Sequence, residues 1–478
     1  MTATASPPIV VSPAAWKTLA VSSLAVLAAF LDTTVLFVAF PDIVASFDDV
    51  APAQLSWVLN AYTIVFAALL VPAGKIADRV GHKRAFLVGS AVFTVGSMLC
   101  GVAPSAELLI AFRLVQAVGA ATLLPSSLAL ILRAFPPQKV PVAVAIWGAT
   151  GAVAGALGPT LGAALVEVGG WRWVFFINLP IGIATLVIGR RLLAESKDPS
   201  TALPAWSGVV LIIMSAGFVS LGVVQSEEWG WADGRTIGSI IAGVVLLGVF
   251  VRHQRVTSRP AVDLELFSIP NFSWGNAASM AFGVAFTAMF FSSILFLTEV
   301  WGYSILRAGF AVAPGPALVA VLAPRFGALA GKVGQRPLLL IGGALFAVGG
   351  LWRLVFLSVE PAYVIDYLPS MFFTGVGVAL CLPQLSSVVA QALPPNRLGV
   401  GGGVNQAIRQ FGGTLGVALT IAFVGRPTSL AEANDHFGLV WWLLVAGGVA
   451  TSLLAAPLGR IGPSAAPSGP APVVAATD

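Results

Sequence analysis

The feature that most constrains this chain is the recurrence of long apolar runs. Fourteen stretches begin near Trp16, Leu55, Ala85, Glu107, Val140, Arg172, Trp206, Thr236, Phe272, Leu306, Pro337, Tyr363, Leu398 and Phe437. Each supplies about 20 mostly apolar residues, the length a helix needs to cross a bilayer. Only 9% of the 478 residues are charged and 58% are hydrophobic. Ordinary soluble domains carry about 25% charged residues, so this chain has too little polar surface to cover a water-soluble fold. A closed barrel would instead show short alternating segments. The expected fold class is therefore an all-α integral membrane protein with 14 transmembrane helices.

The net charge of +5 follows from topology rather than from an anionic partner. With both termini placed in the cytoplasm, seventeen Lys and Arg, among them Lys17, Lys75, Arg79, Lys83, Arg84, Arg190 and Arg191, fall in or beside inner loops. Four, Arg172, Arg235, Arg307 and Arg426, fall outside. The positive-inside rule fixes that orientation in a cytoplasmic (inner) membrane, and no nucleic-acid partner is expected. Residues 1 to 15 lack a basic n-region, so the first apolar run is read as its own insertion signal. Cys100 and Cys381 both fall in spans, and no disulfide is expected.

The two halves of the chain resemble each other. GKIADRVGHKRAFLVG at 74 matches GALAGKVGQRPLLLIG at 327, and QAVGAATLLPSSLALILRAFPP at 116 matches TGVGVALCLPQLSSVVAQALPP at 374. GALG at 155 matches GTLG at 413. Three matches in one order at nearly one offset indicate an internal repeat. The expected plan is a disordered tail over 1–15, a six-helix bundle over 16–200, two inserted helices and linkers over 201–265, a second and pseudo-symmetric six-helix bundle over 266–460, and a disordered tail over 461–478. Such a repeat places a pathway at the interface of two bundles that rock about a central site.

Three stretches carry mechanism. In the loop after the second span, Gly74, Asp78, Arg79, Gly81, Lys83 and Arg84 suit a latch between bundles, the plainer alternative being a charged loop that only fixes topology. In the fifth span, Gly148, Gly151, Gly155, Gly158 and Gly162 line one helical face beside Pro159, which suits either tight static packing or two helices that slide. The third is charge inside the membrane, which is costly and usually functional. Of twenty acidic residues, Asp32 alone sits well inside a predicted span, while Arg113 and Arg409 are the deep arginines. Asp32 lies fifteen residues beyond Lys17, about 22 Å into a core about 30 Å thick, and Arg113 lies about 9 Å in from Glu107 at the outer surface. Their equal depth predicts contact, either as a static ion pair or as a group that gains and loses a proton as its surroundings change. Polar residues elsewhere in the spans, Asn60, Tyr62, Gln116, Asn276, Gln384, Asn405 and Arg409, are the candidates for a substrate cavity.

Other chemistry finds no support. GALAGKV is one residue short of a P-loop and ends in Val, and no Cys/His group has metal spacing. No enzyme activity is expected, and no cofactor beyond a proton gradient.

These residues resemble the major facilitator superfamily, and within it the fourteen-helix drug:proton antiporter branch. GKIADRVGHKR resembles the superfamily's loop signature, RLVQAVGAATLLP at 113 its fourth-helix motif, and GALGPTLGA at 155 the antiporter motif of the fifth helix. LDTTVLFVAFP at 31, WRWVFFINLPIG at 171 and NQAIRQFGGTLGVAL at 405 resemble branch signatures. The resemblance implies proton-driven multidrug export by alternating access, with Asp32 and Arg113 as the coupling pair. Phe37 departs from the branch, which usually has Asn there. The absence of deep acids in later spans points to neutral, monocationic or anionic amphipathic substrates, moved by a monomer. The alternatives are a lipid or glycolipid exporter, suggested by Phe282, Phe286, Phe290, Phe291 and Phe296, and a non-transporting membrane receptor. Those phenylalanines are themselves expected to face lipid.

Overall fold

The computed structural model describes residues 11–136, 139–197, 203–394 and 397–459. The predicted tails fall outside the described residues, apart from 11–15, where the first helix already begins at Pro13 with Ser12 accepting from the Ala15 amide. Fourteen helices are long and apolar enough to cross a membrane. They are α1 Pro13–Ser46, α2 Pro52–Val80, α3 His82–Gly101, α4 Ala106–Ala134, α5 Val142–Gly169, α6 Trp173–Leu192 and α7 Trp206–Trp229. The remainder are α8 Gly234–Val256, α9 Pro270–Val300, α10 Ile305–Val333, α11 Gln335–Phe356, α12 Tyr363–Gln391, α13 Val400–Val424 and α14 Leu430–Ala455. The protein is a multi-pass, all-helical membrane protein.

Packing follows the internal repeat. Within the first half α1 packs on α5 and α6, α4 packs on α2 and α3, and α3 packs on α6. In the second half α9 packs on α13 and α14, α12 on α10 and α11, and α11 on α14. The same pairs recur because the same punctuation recurs: Gly81 and Gly334 end α2 and α10 at φ 112° and 85°, and Pro125 and Pro383 lie inside α4 and α12. Only glycine adopts that left-handed backbone without strain, so the short turn at the end of each second helix keeps its sequence signature. The inserted α7 and α8 form a hairpin, and α7 touches α2 of one half and α13 of the other.

The halves meet through α2 on α13, α5 on α10 and α1 on α9. Several of these contacts lie away from the basic loops. Phe37 approaches Phe290 and Phe291 at centroid distances of 5.8 and 5.6 Å, and Phe40 approaches Phe291 at 5.1 Å. Gly309 of α10 brings its Cα so near α5 that a Cβ would lie 2.7 Å from the Pro159 carbonyl oxygen. On the basic-end halves of α5 and α10, Gly148, Gly327 and Gly331 have nothing within 4 Å of where a Cβ would sit.

Two expectations change. Phe282, Phe290, Phe291 and Phe296 are at most 8% exposed and Phe286 is half-buried, so these rings fill the protein interior instead of facing lipid. The reason is topological: α9 is enclosed by α13, α14, α12 and α1. The glycine face of α5 is also not one surface. Gly158 and Gly162 press on Thr34 and Val35 of α1 and Gly151 faces Phe30, whereas Gly155 has no neighbour within 4 Å of a would-be Cβ.

That division predicts opposite responses to one methyl group. Gly158→Ala, driven against Thr34, should cost about 1–3 kcal/mol and lower the thermal unfolding midpoint of the purified protein. Gly155→Ala should leave the midpoint unchanged or raise it, since alanine favours a helix over glycine by about 1 kcal/mol.

Candidate functional site

Among the described residues Asp32 is the one fully buried carboxylate, at 3% exposure. α1 turns it into the first bundle, where α4 brings Arg113, itself 1% exposed. Arg113 Nη1 donates to Asp32 Oδ2 at 2.5 Å and to Gln116 Oε1 at 2.7 Å, and its Nε donates to the Val58 carbonyl of α2 at 3.0 Å. The second carboxylate oxygen, Oδ1, accepts from Gln116 Nε2 at 2.7 Å and from Asn178 Nδ2 of α6 at 3.1 Å. Asn178 is steadied in turn by Ser97 Oγ of α3 at 3.0 Å, and Ser97 donates to the Phe175 carbonyl at 2.8 Å. The guanidinium carbon lies 3.9 Å from the centroid of the Tyr62 ring.

Both carboxylate oxygens of Asp32, and Nε and Nη1 of Arg113, are thereby engaged. The carboxylate accepts three hydrogen bonds, as suits its ionised form, and the cation has an anion, a carbonyl, an amide oxygen and a π face. The contact expected from equal depth is present. It ties α1, α2, α4 and α6 together and lies wholly inside the first half.

The cavity candidates separate. Tyr62 and Gln116 belong to the Asp32–Arg113 network. Asn60 is buried beside Ser56, to which its Nδ2 donates at 3.4 Å. Asn405 donates to Asn276 Oδ1 and Ser279 Oγ, both at 3.0 Å, between α9 and α13. Gln384 is 2% exposed, while Arg409 is half-buried and reaches Ser386 at 3.3 Å. At the seam Thr63 and Thr414 share a 2.6 Å hydrogen bond.

The loop motif is held by a residue that its sequence does not contain. Glu195, just beyond α6, accepts from the amides of Lys83 at 3.0 Å and Arg84 at 3.1 Å, so its carboxylate caps the start of α3. A Cβ on Gly81 would lie 2.5 Å from Glu195 Oε1. Gly74 lets α2 approach Pro125 of α4, and Asp78 lies 3.3 Å from His82. Asn178 and Ser97 were also missed. Asn178 lies within WRWVFFINLPIG, where an asparagine inside an apolar run was the available signal.

The Major Facilitator Superfamily model matches residues 22–417. The chain belongs to this family. It is 34% identical over 403 residues to the multidrug resistance protein Stp of Mycobacterium tuberculosis (strain CDC 1551 / Oshkosh), covering 84% of this chain and 74% of the relative. It is 33% identical to the cephamycin export protein CmcT of Amycolatopsis lactamdurans, covering 85% of each chain. It is 31% identical to the multidrug export protein EmrB of Escherichia coli (strain K12), covering 86% of this chain and 80% of that one. The same fold occurs in a peptide transporter, POT, solved with sulfate, at a TM-score of 0.64 and 16% identity over 92% of this chain and 94% of that one. It also occurs in the human organic anion transporter MFSD10, at 0.63 and 15% over 92% and 100%. This superfamily member is thus a membrane transporter by family, with its buried pair in the first of two bundles.

If the pair is held by charge, the damage from removing its cation should be largely repaired by removing its anion. Arg113→Met alone should cost about 3–5 kcal/mol, the loss expected when a buried ion is stranded. Asp32→Asn with Arg113→Met should recover more than half of that in thermal unfolding. Equal losses in the single and double variants would assign the effect to packing.

Proposed function

We propose that this transporter exports amphipathic small molecules across the cytoplasmic membrane in exchange for protons, with Asp32 as the proton carrier and Arg113 as its partner. The observation that carries this reading is the enclosed Asp32–Arg113–Gln116–Asn178 network. Asp32 is the single buried acid of the described residues, and protonating it removes an anion from a site that otherwise has no access to bulk water. The guanidinium then keeps the Val58 carbonyl and Gln116 Oε1 as acceptors but loses its counter-ion, so protonation destabilises this arrangement and favours another. Support for drug or antibiotic cargo comes from the similarity to Stp, a multidrug resistance protein, CmcT, a cephamycin export protein, and EmrB, a multidrug export protein.

The orientation with both termini in the cytoplasm is supported by the basic residues at one end of the bundle, among them Arg79, Lys83, Arg190 and Arg191. The seam through Phe37, Phe40, Phe290 and Phe291 is then the extracellular closure. With no second buried acid among the described residues, the cargo is a neutral, monocationic or anionic amphiphile and not a dication. A monomer holds both bundles and is the proposed working unit.

In energised inverted vesicles, adding an exported amphiphile should dissipate the pH gradient, and Asp32→Asn should abolish this while the protein still folds and binds the compound. Active transport at wild-type level in Asp32→Asn would sink the role given to Asp32.

A further inference from the structure

A second arginine is fully buried, and it has no carboxylate. Arg353, three residues before the end of α11, is 1% exposed. Its Nε donates to Ser370 Oγ at 3.1 Å and its Nη1 to Ser293 Oγ at 2.9 Å. Its guanidinium carbon lies 4.9 Å from the Trp441 ring centroid and 5.1 Å from that of Tyr367. Among the described residues it forms no ion pair, and its neighbours are neutral: two serine hydroxyls and two aromatic rings. The helices around it, α9, α11, α12 and α14, are the repeat counterparts of α1, α3, α4 and α6, which together with α2 surround Asp32 and Arg113. The second half therefore holds the cation without the anion. Hydroxyls and π faces solvate a buried guanidinium but do not neutralise it, and a buried charge without a counter-ion is costly.

The anion has a route in. Arg353 forms part of the lining of a crevice of about 280 Å³ between α11 and α14, shared with Asp435, Trp441 and Trp442. Trp442 is 54% exposed at its rim. By helical rise Arg353 lies about 5 Å from the end of α11, and Asp435 about 8 Å from the start of α14, which is headgroup depth in a bilayer. The crevice thus offers a cation at its floor, an exposed carboxylate at its mouth and an indole where tryptophans anchor to the membrane interface. A simple anion would meet repulsion from Asp435. A ligand with an inner anion and an outer cation satisfies both charges.

We propose that this crevice binds the headgroup of a zwitterionic aminophospholipid, with its phosphate on Arg353 and its ammonium on Asp435. Phosphate is the chemistry shared with soluble anions, so the test must separate the sources. The purified full-length protein in detergent would be titrated with phosphatidylethanolamine, phosphatidylglycerol, phosphoethanolamine and inorganic phosphate while thermal unfolding is followed. Phosphatidylethanolamine should raise the midpoint saturably and at lower concentration than phosphatidylglycerol. Asp435→Asn should erase that preference, a change of about fivefold in apparent affinity for an exposed ion pair. Arg353→Gln should lose the response to both lipids. Because Arg353→Gln is a core change that can disturb folding, Asp435→Asn, on an exposed side chain, decides the matter independently. The proposal is overturned if the two lipids act alike on the wild type, if Asp435→Asn keeps the preference, or if phosphoethanolamine or inorganic phosphate matches the lipid.

Discussion

Burying Asp32 against Arg113 is the constraint around which the first bundle is arranged. Two charges withdrawn from water cost several kcal/mol each unless every donor and acceptor is answered. The answer needs four helices: Val58 from α2, Gln116 from α4 and Asn178 from α6 complete what α1 and α4 begin. Ser97 of α3 holds the asparagine. A network so distributed cannot be assembled by any one pair of helices.

The seam is built from different material. Across it lie aromatic rings, glycine contacts and the Thr63–Thr414 hydrogen bond, none of which strands a charge when broken. Charged connections that span the halves occur instead at the basic end, in the connector between α8 and α9. Lys75 of α2 donates to the Pro260 carbonyl at 2.6 Å, and Arg397, just before α13, lies 3.3 Å from Asp263. The inserted hairpin thus ends in a strap that holds α2 and the start of α13 to one segment, while among the described residues no charged tie joins α5 to α10.

Much of this was legible in the sequence, for identifiable reasons. Bilayer thickness fixes span length, so apolar runs located the helices, and prolines or cap residues such as Ser12 and Ser304 set their starts. Fixed helical rise made the depths of Asp32 and Arg113 comparable before any fold was known. Facing was not legible. Helices apolar on all sides carry little amphipathic signal, so Tyr62 and Gln116 read as cavity residues although they serve the ion pair, and the phenylalanines of α9 read as lipid-facing although they are buried. Glu195 was hidden for another reason: its role depends on the chain after α6 returning to the start of α3, more than a hundred residues earlier in the chain.

The departure at Phe37 gains meaning from this arrangement. It stands five residues beyond Asp32, about 7.5 Å along the same helix, and points across the seam into Phe290 and Phe291. A polar residue there would have extended the hydration of the carboxylate toward the seam. Phenylalanine instead separates the two functions of α1: one stretch holds the charge inside the first bundle, and the next holds the bundles together. On the proposed reading, a proton on Asp32 acts first on the packing of α1 against α4 and α6. The aromatic seam responds because it is carried on that same helix, so no chain of polar groups across the interface is needed. Among the described residues the second bundle holds Arg353 and no buried acid, so on the proposed reading the proton site belongs to the first bundle alone.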